Sequence, residues 1–303
     1  MSDVAQPTTD SGFDPAPVHP RLADEVRAHV ESDAREMIAF RRRLHAEPEL
    51  SFAEVATTDA VIERLMVEDL EPVRLESGTG LVCDIGPGEP VVALRADIDA
   101  LPMQEAAPVP YKSRVSGVSH ACGHDVHTAA VLGAGLVLNK LHLAGRLPAG
   151  VRLVFEPGEE QVPGGAVEIV EAGWLEPVSQ VYAVHCDPKL EVGRYGFRAG
   201  PITSASDMVE VTLAGPGGHT ARPHLTVDLI SVAADLALRL PETVDRRVAE
   251  HGESKLVFGT LTSGTAPNVI PDEAVLRGSL RTPQDEVWQR LPQALEDSVA
   301  EIL

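Results

Sequence analysis

Three apolar runs, each delivering residues that can do chemistry, constrain this 303-residue chain more than any other feature. Val91-Val92-Ala93-Leu94 leads into Arg95-Ala96-Asp97-Ile98-Asp99, and Val151-Arg152-Leu153-Val154-Phe155 into Glu156-Pro157-Gly158-Glu159-Glu160. Val181-Tyr182-Ala183-Val184 leads into His185-Cys186-Asp187-Pro188. Residues 91–94 are apolar at consecutive positions, as in a strand buried on both faces. Helical patterns at 125–141 and 165–172 lie between the runs, which predicts βαβ units and a mostly parallel sheet. Ligands in such sheets bind beyond the carboxyl ends of the strands. Asp97 and Asp99, Glu159 and Glu160, and His185 are therefore expected at one site.

Between the first two runs lies His120-Ala-Cys-Gly-His-Asp-Val-His-Thr-Ala-Ala130. It concentrates thiol, imidazole and carboxylate, the three ligand types that bind soluble transition metals. Cys122 and His124 flank one glycine, so a bend can turn both toward a single ion. A polar helix start would also use Asp125, but so dense a cluster favours metal. Adjacent Glu159 and Glu160 aim in different directions, so one can bind an ion while the other faces the water on it. Asp97 and Asp99 suit the task of orienting histidine ligands from behind. His185 taken alone reads as a core histidine. Cys83 and Cys186 read as packing residues.

Composition excludes several classes. A net charge of −21 repels nucleic acid and anionic membrane, so neither is an expected partner. Three scattered cysteines fit a reducing compartment, and the first residues lack a basic-then-apolar signal pattern, which together predict a cytoplasmic protein. No apolar run reaches the roughly 18–20 residues of a membrane span. Residues 1–18, rich in Pro, Thr, Ser and Asp, read as a flexible leader; residues 19–199 as an α/β metal-binding catalytic domain. Helices are expected over 21–46 and 53–66, separated by Glu47-Pro48-Glu49.

Near Gly200 the pattern changes to β-α-β-β-α: strands over 208–214, 255–262 and 274–281, and helices over 226–240 and 285–303. Residues 200–303 thus form a small α+β domain. His219, in the Gly217-Gly218-His219-Thr220 loop, could reach a site or be an idle turn residue. Arg281, at a strand end, stands equally as a carboxylate clamp or a surface salt-bridge partner.

The runs RADIDALP, HACGHDVHTAA, EPGEE, GPGGHTARPH and APNVIPDEAVLRGSLRT, in this order over about residues 30–303, resemble the metal-dependent amidohydrolases. The branch is that of aminoacylase, hippurate hydrolase and auxin-conjugate hydrolase, related to carboxypeptidase G. The resemblance implies two divalent ions per chain, zinc or manganese, with Cys122, His124, Glu160 and His185 as ligands. It implies Glu159 as general base and acid, with Asp99 orienting a site group and Asp97 beside it. It makes residues 200–303 an inserted lid and dimerisation domain, hence a homodimer. There His219 would stabilise the oxyanion, and Asn268 and Arg281 would contact a small-molecule substrate. The reaction implied is amide cleavage in N-acyl amino acids or small peptides. The sequence departs from the family at Glu156, commonly Gln, which adds negative charge near the site. Family members also usually run about a hundred residues beyond the lid and carry a last histidine ligand there. No histidine follows His251 here, so the alternative is an impaired homologue that binds metal or ligand without turnover. A zinc deaminase is disfavoured because its P-C-x-x-C ligand pair is missing.

Overall fold

The computed structural model describes residues 20–303; the leader expected over 1–18 lies outside them. The chain divides into two compact units, Met1–Lys189 and Leu190–Leu303.

Unit 1 contains α1 (Pro20–Ala46), α2 (Val55–Met66), β1 (Val73–Arg74), β2 (Leu81–Ile85) and β3 (Pro90–Asp97). It continues with α3 (His124–Leu143), β4 (Gly150–Glu156), α4 (Ala166–Glu171) and β5 (Gln180–Ala183). The sheet order is β1-β2-β4-β3-β5. Strands β4, β3 and β5 run parallel, and β2 and β1 extend the sheet antiparallel. On one face, Leu81, Ile85, Leu153 and Phe155 meet Leu65 of α2 and Leu132 and Leu136 of α3. On the other, Val82, Ala93 and Val154 meet Ile169 and Trp174. The strand at 91–94 is less enclosed than its apolar run predicts: Val91 is exposed and only Ala93 is fully buried. Its neighbour β5 is the sheet's last strand and is exposed at every residue, so β3 is shielded on that side by little.

Helix α3 is long and apolar enough to cross a membrane by length and composition, which the run-by-run sequence reading misses because polar residues at both ends confine its unbroken apolar run to 129–138. Leu132, Leu136 and Leu141, on more than one face of it, are instead buried in unit 1.

Unit 2 comprises β6 (Ala205–Ala214), β7 (Gly218–His219), α5 (Leu229–Val248), β8 (Lys255–Ser263), β9 (Val269–Ile270), β10 (Glu273–Thr282), α6 (Asp285–Trp288) and α7 (Leu291–Ile302). Its main sheet is antiparallel in the order β6-β10-β8, and α5 and α7 supply most of the rest of its core. Two helix expectations need correction. Helix α5 runs through Pro241 to Val248 rather than ending at Leu240. A proline inside a helix costs about 3 kcal/mol. Burying Val244 and Val248, 0% and 1% exposed, offsets it at about 1.5–3 kcal/mol for each side chain. The helix expected over 285–303 is two pieces, because Pro292 stands in the first turn of α7, where its missing N–H costs nothing.

Candidate metal centre

Strand pairing places the chemistry. Parallel β3 and β4 end level, with Asp97 opposite Glu156, and the Ile98 N–H donates to Glu156 O at 3.0 Å. Asp99 and the Glu159, Glu160 pair therefore leave the sheet side by side. Helix α3 starts one residue after Gly123, whose φ of 96° a side chain would strain. A Cβ there would also lie 3.0 Å from Cys186 Sγ. Glycine thus permits the bend that the spacing of Cys122 and His124 requires.

Hydrogen bonds fix which nitrogen each histidine presents. His124 Nδ1 donates to Asp99 Oδ1 at 3.0 Å, so in the neutral ring its Nε2 carries the lone pair. That Nε2 is buried and has no hydrogen-bond partner among the described residues. It faces Asp97 Oδ2 at 3.6 Å, and Glu159 Oε2 and Glu160 Oε1 at 3.9 Å each. His185 Nδ1 donates to Cys186 O at 2.8 Å, which leaves its Nε2 lone pair facing Cys122 Sγ at 3.4 Å. Donor atoms of Cys122, His124 and His185, and of His124, Glu159 and Glu160, lie within 4.8 Å of one another. Asp97, His124 and His127 meet the same distance test, but His127 is spoken for. Its Nδ1 bonds Asp97 Oδ1 at 2.6 Å and its Nε2 accepts the Cys186 N–H at 2.9 Å. His127 braces the site, and the same bond ties the residue after His185 to it.

The electrostatics ask for a cation. Burial pushes the Cys122 thiol up to about 12, helped by the charge and hydrogen bond of Glu160 and the charges of Asp97 and Glu159. Burial, and then the charges of Glu160 and Asp97, also raise Glu159. Burial opposes a charged His124, yet its bond to Asp99 and the charges of Asp97, Asp99 and Glu159 raise it. Burial likewise opposes a charged Asp97, but the His127 bond and the charges of His124 and Arg95 hold it at about 2. A divalent cation reverses the thiol's preference, since thiolate is the ligand form. The orphaned Nε2, the second presented lone pair, the thiol and the crowded carboxylates all fit such an ion.

Several contributors were not legible beforehand. Arg95 bridges Asp97 Oδ2 and Glu156 Oε2, each at 2.7 Å. Arg95 thus pairs with the extra charge expected from Glu156 while sharing its own charge with Asp97, so the three groups together stay at about −1. Ser51 donates to Asp99 Oδ2 at 2.6 Å. Behind the site, fully buried Asp125 holds Arg41 at 2.6 Å and His45 at 2.8 Å. His120 lines a neighbouring cavity of about 340 Å³ with His45, Glu105 and Ser119. Burial depresses it to about 4.

In unit 2 the structure pairs β7 with β9, an association the sequence reading did not foresee because each strand is two residues long. It brings His219 opposite Val269, and the Thr220 N–H donates to Asn268 O at 3.2 Å. His219 and Asn268 are thus neighbours. Arg281 lies elsewhere in the unit: exposed, near the end of β10, opposite Ser206 and Lys255.

Known proteins resemble the chain in sequence and in fold. The sequence profile of peptidase family M20/M25/M40 matches residues 93–277. A Rhodococcus jostii protein provisionally named glutamate–cysteine ligase 2-3 is 48% identical over 276 residues, covering 90% of this chain and 34% of its own length. N-acetylcysteine deacetylase of Bacillus subtilis is 39% identical over 262 residues, covering 85% of this chain and 68% of its own. The crystal structure of Bacillus subtilis YXEP, titled a dinuclear metal binding peptidase from the M20 family, superposes with TM-score 0.72 at 34% identity. That match covers 90% of this chain and 70% of YXEP. The chain therefore spans about a third of the first relative and about two thirds of the others, and the ligase name belongs to a protein most of which has no counterpart here. Over the residues it has, with both an α/β unit and an antiparallel second unit present, the chain belongs to peptidase family M20/M25/M40.

Proposed function

We propose that the chain is a dinuclear metal-dependent amidohydrolase that cleaves the amide bond of N-acyl amino acids or small peptide-like substrates. The observation that carries this reading is His124 Nε2: a buried lone pair without a protein partner, ringed by carboxylates and fixed in its tautomer by Asp99. Kinship with N-acetylcysteine deacetylase supports the N-acyl amino acid class. Cys122, His124, Glu160 and His185 would hold the ions, zinc or manganese. Divalent ions there supply the acidity that lets a water ionise near neutral pH. Glu159 would take that water's proton on a carboxylate oxygen and return it to the leaving amine nitrogen. Asp99 keeps His124 aimed. For unit 2 the proposal rests on the family resemblance: His219 for the oxyanion, Asn268 and Arg281 for substrate, and pairing of two copies.

The test is hydrolysis of N-acetyl-L-cysteine and a panel of N-acyl amino acids, with and without chelator. Chelator should abolish turnover, and Glu159→Gln should lower kcat by about 10²–10⁴-fold. Full activity in excess chelator would overturn the reading. Two ions per chain with no turnover on any substrate would favour the metal-binding, non-catalytic alternative.

A further inference from the structure

The segment between α1 and α2 looks like a mere helix break, yet it makes contacts a linker does not need. Glu54 occupies the N-cap position of α2, but its carboxylate does not cap that helix. Glu49 does so instead, accepting the Ala56 N–H at 3.0 Å and the Thr57 N–H at 2.8 Å. Glu54, 0% exposed, uses Oε1 to accept the Gly158 N–H at 2.8 Å. Gly158 precedes Glu159 directly.

Two neighbours reinforce that contact. Phe52 has φ 62°, an unusual conformation for a bulky residue and one that tends to mark functional segments. Its ring lies so close to Gly158 that a Cβ there would fall 2.5 Å from Phe52 Cζ. Ser51 Oγ reaches Asp99 Oδ2 at 2.6 Å, and the same oxygen accepts the Glu160 N–H at 3.0 Å. The Ala100 N–H, in turn, donates to Glu49 O at 2.8 Å. Residues 49–54 therefore grip both the Asp99 turn and the glutamate loop.

We propose that Glu54 is a positioning residue for Glu159 and Glu160, acting through the Gly158 N–H, with Ser51 and Phe52 completing a strap that sets the loop against Asp99. The strap reaches Gly158 and Asp99 rather than the carboxylates of Glu159 and Glu160. It fixes where the base and one ligand stand, and for the role of those two groups it rests on the function proposed above. Displacing reacting groups by about 1 Å can cost about a hundredfold in rate, so the contact has leverage out of proportion to its size.

The test compares wild type with Glu54→Gln, which keeps an acceptor oxygen, and Glu54→Leu, which removes it. The first readout is hydrogen exchange of the Gly158 amide in metal-free protein, and the second is zinc affinity by titration calorimetry. Kinetics follow on whichever N-acyl amino acid is hydrolysed. Glu54→Leu should speed Gly158 exchange by at least about tenfold, weaken zinc binding, and lower kcat more than it raises KM. Glu54→Gln should stay close to wild type in all three. If Glu54→Leu does not fold, Glu54→Asp, one methylene shorter, should still accelerate exchange. Unchanged exchange in the folded Leu or Asp variant overturns the proposal, as does Gln behaving as badly as Leu. Exchange needs no turnover, so a chain that hydrolyses nothing sinks the proposed function and leaves this test intact.

Discussion

The two units spend their interiors differently. Unit 2 buries an ordinary apolar core, with Leu236, Leu240, Val244, Leu276 and Leu280 at its centre and only Thr243, Thr282 and Ser298 as buried polar residues. Unit 1 buries His45, Glu54, Asp97, Asp99, His120, His124, Asp125, His127, Arg152 and Glu156 beside its apolar layers. Burying charge costs free energy unless each group is paired and hydrogen-bonded. Unit 1 offsets part of it by pairing around the strand ends, and leaves both nitrogens of His120 and the Nε2 of His124 without a partner among the described residues. One unit is filled by apolar side chains, the other by charges among them, and the two should fail in different ways.

Breaking a buried pair should do the most damage. Asp125→Ala strips the partner from Arg41 and His45 and should destabilise unit 1 by about 3–5 kcal/mol, read from denaturant unfolding. An undiminished midpoint would mean unit 1's charges are not structural. In unit 2 the corresponding wound is a cavity. Leu236→Ala, at a 0% exposed site, should cost about 3 kcal/mol with no change in zinc affinity.

Acid sharpens the contrast. His120 has a folded pKa near 4, below the usual histidine value of about 6.5. The unfolded chain therefore protonates first as pH falls. Its contribution to stability is fully present above about pH 6.5 and disappears toward pH 4, by up to about 3 kcal/mol. In metal-free protein, the unfolding free energy of wild type minus that of His120→Leu should fall by that order across this window. A flat difference would remove the titration from the account. The smallest effect belongs to the exposed surface of unit 2. Removing the 2.5 Å Arg277–Glu210 pair with Arg277→Ala should change stability by less than about 1 kcal/mol.

Much of this was readable from the chain. Apolar runs located β3, β4 and β5, and close spacing put Cys122 and His124 into one cluster, because both signals are local. The support was not readable. Nothing in the sequence says that Arg95 will reach Glu156, that His127 will spend both nitrogens on Asp97 and Cys186, or that Ser51 and Glu54 will grip the site from 48 and 104 residues away. Those contacts exist only once sheet register and helix packing are set. The same limit explains Pro241 within α5, where packing overrode a local helix-breaking signal, and the two-residue pairing of β7 with β9, too short to leave a pattern.

Strand β5 carries one more consequence. It pairs with β3 on one side and with no strand on the other among the described residues, and Val181 and Tyr182 are about half exposed. A free edge of backbone N–H and C=O groups is a template onto which another extended chain can add. An extended segment adding to this edge would therefore lie along Gln180–Ala183, four residues that end two positions before His185, a candidate metal ligand.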